Sequence, residues 1–251
     1  MEPLFTNTGA KIGEVWFEGS AEFPLLIKFL FTTEKLSVQV HPKDDYAREH
    51  HSSLGKTEMW HILRAEPGAQ IAAGFREDVS PEKMRAAAES GEIEQMLAWH
   101  DALPGDTFFI PAGTVHAIGA GLMLCEIQQS SDITYRLYDY GRYENGKPRE
   151  LHLDHGVRVS RLQACEARQQ PASISDEAEL LVQCPYFTTE RHRIRGTTQF
   201  SAEAYERRIV VLDGSGQIGG NPVKAGEVWR VDGGTQGFDV SGELTVLVTH
   251  S

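Results

Sequence analysis

The sequence predicts a mostly β protein: a jelly-roll-like barrel with a short helical insertion, followed by a smaller second β-barrel module. Three observations predict it. Short runs of β-forming residues alternate apolar and polar side chains, Gly and Pro turns separate them, and only one stretch has a clear helical period. The 251 residues suit one large domain or a domain with a smaller partner. The expected boundaries are 1–160 for the first barrel, 161–187 for a connection and 188–251 for the second module.

From Phe23 to about His41 the chain is rich in β formers. In LSVQVHP, Leu36, Val38 and Val40 face one side while Ser37, Gln39 and His41 face the other, which inside a barrel is the interior. Pro42 ends that strand. KDDYAREHHSSLG then reads as a polar loop or short helix, with His50 and His51 exposed, and TEMWHILRA as the next strand, opening near Glu58. SPEKMRAAAESGEIEQMLAWH is the helical stretch, with Ser80 as N-cap, Pro81 at the first helical position and a break at Gly91. Short strands return from Ala102 to Tyr140, and His116 follows a Pro-Ala-Gly turn. Helical signal is weak through LDHGVRVSRLQA, and SISDEAELLVQCPYF reads as the connection. In the last stretch KAGEVWRVDGG parallels LPGDTFFIPAG, without a His or carboxylate after its turn, so the second module is expected to hold no metal.

Composition narrows the partners. A net charge of −12 repels a phosphate backbone, so no nucleic acid is expected, and an anionic substrate needs a local group of Lys or Arg. Cys125, Cys165 and Cys184 are odd in number and lack C-x-x-C spacing, which argues for a reducing cytoplasm. MEPLFTNTGAKIGEVW has no charged-then-apolar leader, and FPLLIKFLF is short and interrupted by Lys28, so no membrane span is expected.

The chemistry gathers on four residues. Gln39 and His41 on one strand, Glu58 on the next and His116 after a distant turn offer two imidazoles, a carboxylate and an amide oxygen. Such a set suits one Zn²⁺ or another first-row divalent ion, and the lack of thiolates disfavours a closed structural zinc site. His61, three residues past Glu58, is expected to point away from it and to be structural.

LSVQVHPKDDYA, GKTEMWHIL, GDTFFIPAGTVHAIGAG and the stretch from CEIQQSSD to Arg136 resemble the short bacterial form of type I mannose-6-phosphate isomerase, over about Gly13 to Arg142. The resemblance implies a cupin barrel with a zinc ion held by Gln39, His41, Glu58 and His116, and an active-site pair in Arg136 and Lys56. It implies interconversion of mannose 6-phosphate and fructose 6-phosphate through a cis-enediol, with Lys56 and Arg136 facing the phosphate. For the proton moved between C1 and C2, Glu126, Asp132 and Lys56 all stand in the motifs. Some members carry a His just before the K-x-E lysine; here it is Gly55. Longer members begin with a Trp-Gly-Gly segment, whereas this chain starts almost at IGEVW, which leaves substrate preference open. A non-catalytic sugar-binding cupin, an isomerase for another sugar or sugar phosphate, and a metal-dependent dioxygenase are the alternatives. A monomer or homodimer is expected.

Overall fold

A computed structural model describes Phe5, Gly9, residues 11–17 and residues 23–251. Most of MEPLFTNTGA, read above as leader-free, lies outside them. The chain divides into two compact units, one built mainly from Leu26–Arg168 and the other mainly from Gln169–Ser251. Among the described residues, no helix is long and apolar enough to cross a membrane, and all three cysteines are free.

The first unit begins with β1 (Glu14–Phe17), β2 (Leu25–Thr32), β3 (Val38–Val40), α1 (Asp44–His51), β4 (Glu58–Ala65) and β5 (Gln70–Phe75). The helical insertion follows as α2 (Pro81–Ser90) and α3 (Ile93–Met96). Then come β6 (Leu97–Asp101), β7 (Thr107–Ile110), β8 (His116–Ile118), β9 (Leu122–Gln129), β10 (Tyr135–Tyr138), β11 (Tyr143–Glu144), β12 (Lys147–Pro148), α4 (Leu153–Val159) and β13 (Arg168–Gln169). One sheet runs β1-β2-β9-β4-β7-β13 and a second β10-β3-β8-β5-β6. Their facing sides supply one core, including Leu30, Trp60, Ile62, Ile71, Phe108 and Leu124. This is the jelly-roll arrangement expected.

Alternation decides which side chains enter that interior. Gln39 pairs with His116, and His116 with Ala73, so all three share the inner face of the second sheet. Val38 and Val40 point outward, into a core with Met84, Ala87, Ala88 and Ile93 of the insertion. The insertion therefore covers the sheet's outer face. Leu36 departs from the expected alternation, because it precedes β3 and packs against the inner core instead.

The Ser80 hydroxyl accepts from the Lys83 amide, Pro81 opens α2, and Gly91 closes it at φ 87°, a conformation that an L side chain resists. Two expectations need correction. LDHGVRV forms α4, which packs Leu153 and Val157 on the outer core, so tertiary burial overrides the weak local signal. The stretch 161–187 is not only a connection. It contains β14 (Ala172–Ser175) and β15 (Ala178–Gln183), and β15 pairs with β16 (Thr188–Phe200).

The second unit continues with β17 (Arg207–Ile218), β18 (Asn221–Lys224), β19 (Val228–Val231) and β20 (Phe238–His250). These and β14 to β16 form one seven-stranded antiparallel sheet, with β20 between β16 and β17. Ile209, Val211, Val240, Val246 and neighbours make its core. Gly214 and Gly216 lie where β17 crosses β20 so closely that an added Cβ would stand 1.9 and 2.0 Å from backbone carbonyl oxygens. Any larger residue there would force the strands apart.

Candidate metal centre

The interior of the first unit holds a group of buried polar residues beside its apolar core. Lys28, His41, Lys56, Glu58, His116, Glu126 and Gln128 are all buried there. The spacing of two in Lys56-Thr57-Glu58, at the entry to β4, turns both charges to the inner side, where Trp60 follows them. Thr57, between them, points outward and bonds Gln129 and Ala112. His41 enters from the end of β3 and His116 from the start of β8.

Glu58 lies between the two imidazoles. Its Oε2 is 3.6 Å from His41 Nε2 and its Oε1 is 3.4 Å from His116 Nε2. An ion about 2.1 Å from each donor in tetrahedral geometry would set the donors roughly 3.4 Å apart. Candidate ligand atoms of these three residues all lie within 4.8 Å of one another, and no other such group of three occurs among the described residues. Glu58 Oε1 is buried and accepts no hydrogen bond, an arrangement that costs free energy unless a cation takes the lone pair.

The tautomers follow from the carbonyls behind the rings. His41 Nδ1 is 2.8 Å from the Ile133 carbonyl oxygen and His116 Nδ1 is 2.9 Å from that of Thr114. A carbonyl only accepts, so each Nδ1 carries the proton and each Nε2 turns a lone pair toward Glu58. Burial, helped by the Lys56 charge, holds His41 well below the ordinary histidine value. Burial likewise lowers His116 to about 4. Both imidazoles are thus neutral donors at pH 7. Burial lifts the Glu58 carboxyl to about 7 against the pull of Lys56.

Gln39 reaches the cluster with its amide nitrogen toward His116. Its amide nitrogen donates to His116 Nε2 at 3.2 Å, while its Oε1 accepts from Ser37 at 3.2 Å. A half-turn of the amide would present the oxygen. Lys56 is also deeper than expected: its Nζ lies 2.9 Å from Glu58 Oε2 and 3.2 Å from His41 Nε2. Burial disfavours its charge, but Glu58 and Glu126 outweigh that and raise its pKa, so Lys56 is an ammonium.

Glu126 is held beside this group. It accepts from Trp60 Nε1 at 3.0 Å and pairs with Lys28 at 3.5 Å. Burial raises its pKa, but Lys56, Lys28 and the Trp60 bond prevail and keep it ionised. Asp132, by contrast, is exposed on the loop between β9 and β10. Arg136 sits on β10 opposite Gln39 and therefore on the same face; it is half-buried and donates to the Glu150 carbonyl at 3.0 Å.

Lys28 was not singled out by sequence. Its Nζ lies 3.9 Å from the centroid of the Trp16 ring. Its signal was the lone charge inside FPLLIKFLF, since a lysine in an otherwise buried strand needs a partner within. His61 points away from Glu58, as expected, and bonds Thr107 at 3.0 Å. At Gly55, a Cβ would stand 2.6 Å from the Asp44 amide nitrogen, which explains why no His occupies this position.

No family model matches the chain. Over 240 residues it is 36% identical to the mannose-6-phosphate isomerase of Streptococcus mutans, covering 92% of this chain and 75% of that protein. The chain belongs to the mannose-6-phosphate isomerase family. The mannose-6-phosphate isomerase ManA of Bacillus subtilis is also 36% identical, covering 96% of this chain and 82% of that protein. The crystal structure of mannose 6-phosphate isomerase from B. subtilis superimposes with a TM-score of 0.86 at 33% identity, covering 94% of this chain and 77% of that one. The cupin expectation for this family member rests on that match.

Proposed function

We propose that the protein interconverts mannose 6-phosphate and fructose 6-phosphate through a cis-enediol, with one divalent ion, zinc, held by His41, Glu58 and His116. The observation that carries this reading is the pair of Nε2 lone pairs aimed at a buried carboxylate in a member of this family. Gln39, after its half-turn, would supply a fourth ligand. When bound, the ion would supply a Lewis acid for the charge that develops on the substrate's oxygens, worth several kcal/mol of stabilisation.

The chain's own groups do the rest. Glu126 is an ionised carboxylate in a water-poor interior, suited to take the proton that moves between C1 and C2. Lys56, an ammonium, donates to the substrate oxygen that gains charge. Arg136, on the Gln39 face of β10, meets the phosphoryl group with its planar fork. The three free cysteines are in keeping with a reducing cytoplasm.

The test is a coupled assay with chelation and metal add-back. Fructose 6-phosphate should form from mannose 6-phosphate, cease on chelation and return with zinc; no product from the zinc-loaded protein would sink the reading. The same protein makes a pH prediction. Ion uptake needs Glu58 ionised, and its carboxyl stands at about 7 without the ion. Apparent affinity therefore falls as pH drops below 7, by about tenfold per unit, while above it the dependence on Glu58 flattens. Zinc titration calorimetry at pH 6 and 8 in two buffers should show more proton release at pH 6; equal release at both would contradict it.

A further inference from the structure

The segment after β10 places two guanidinium groups on one buried carboxylate, Asp139, and a third, Arg136, on the carbonyl of Glu150 beside Arg149. Asp139 to Arg142 form a β-turn, closed by the Arg142 amide on the Asp139 carbonyl at 3.0 Å, with φ 56° at Tyr140 and 68° at Gly141. Asn145 and Gly146, at φ 52° and 77°, make a second turn of the same primed type between β11 and β12. The hairpin pairs Tyr143 with Pro148 and Glu144 with Lys147. Arg142 and Arg149 therefore stand opposite each other, the Arg149 amide bonding the Arg142 carbonyl at 3.2 Å. Both side chains turn onto Asp139.

Arg142 is fully engaged there. It holds Asp139 Oδ1 through Nε at 3.1 Å and also through NH2, and donates to the Lys35 carbonyl at 2.8 Å. Arg149 is not. It rests 3.3 Å from Asp139 Oδ2 without a hydrogen bond, and its buried Nε has no acceptor. Arg136 likewise has a buried Nε without an acceptor. Behind burial, Arg149 is the charge that most depresses the Arg136 pKa. Arg136 donates to the carbonyl of Glu150, the residue after Arg149, at 3.0 Å, so two guanidiniums with unmet Nε donors are neighbours, and one buried carboxylate, Asp139, serves Arg142 and Arg149. Such a surplus stands ready for a doubly charged oxyanion.

We propose that Arg149, together with Arg136, forms the phosphoryl subsite of the substrate pocket, with Asp139 and Arg142 as positioning residues that hold the hairpin in place. This rests on the isomerase reading, and it moves the phosphate contact from Lys56, which stands beside the metal ligands Glu58 and His41, to the hairpin. Arg136 pairs with Gln39, and Gln39 with His116, so Arg136 links the subsite to the sheet face that carries the metal ligands.

The test is steady-state kinetics and calorimetry on the full chain. Arg149→Gln should raise KM for mannose 6-phosphate about tenfold or more, weaken competition by inorganic phosphate in the same proportion, and leave kcat within about threefold. Arg149→Lys, which keeps the charge but not the fork, should fall between. Asp139→Asn should show the same split of KM from kcat. A folded Arg149→Gln protein with KM and phosphate inhibition within about twofold of the parent would overturn the proposal. If Arg149→Gln fails to fold, Arg149→Lys decides: parental KM and phosphate inhibition overturn it. If the parent turns over no mannose 6-phosphate, the isomerase reading fails on its own. Calorimetry with inorganic phosphate then still decides the subsite, by parental binding lost in the variant or by no parental binding at all.

Discussion

A Glu58→Gln protein is expected to fold, to lose its divalent ion, and to fall by about 10³-fold or more in kcat/KM. The size follows from several kcal/mol of Lewis-acid stabilisation, at about 1.4 kcal/mol for each factor of ten. The change keeps the side chain's shape and removes one charge. Glu58 is fully buried, and burial already lifts its carboxyl to about 7, so a neutral amide is tolerated by the surrounding interior. What it cannot do is answer two neutral imidazoles with a negative ligand between them. Metal content, melting temperature and kcat/KM on one preparation check this. A variant that keeps its ion and at least a tenth of parental activity would remove Glu58 from the ligand set.

The ligands were legible because strand alternation and turn chemistry are local. Val38 and Val40 announce which way Gln39 and His41 face, and the i, i+2 spacing of Lys56 and Glu58 puts both inside. Their mutual distances were not legible, since those depend on how two sheets close over one another. Local reading also left side-chain orientations open. Gln39 turns its nitrogen rather than its oxygen to His116 because the imidazole lone pair accepts and Ser37 donates. Asp132 stands in a motif beside buried residues yet is exposed, while the next residue, Ile133, turns its carbonyl inward to His41. The hairpin from Tyr143 to Pro148 carried a plain signal, Asn-Gly, but its meaning lay in Asp139, whose burial no sequence pattern reveals.

Lys56→Met is expected to act twice, and the two effects separate. With zinc bound, kcat should fall by about 10² to 10⁴, the usual reach of a positioned proton donor, while ion content stays at one per chain. Without zinc, the fold itself should weaken by about 3–5 kcal/mol, because breaking a buried pair strands its partner charge. The reason is geometric. Lys56 Nζ lies 2.9 Å from Glu58 Oε2 and 3.2 Å from His41 Nε2, so in the ion-free protein it is the cation that answers those two atoms. A divalent ion would take over that task and free the ammonium for substrate. The stability deficit should therefore shrink when zinc is added. It should also shrink as pH falls through 7, where Glu58 of the parent takes up a proton and the parent no longer gains from the ammonium. Thermal melts of parent and variant, with chelator and with zinc at pH 6 and 8, read all of this together. A deficit that is the same in all four conditions would show Lys56 to be a packing residue, and parental kcat in the loaded variant would remove it from proton transfer.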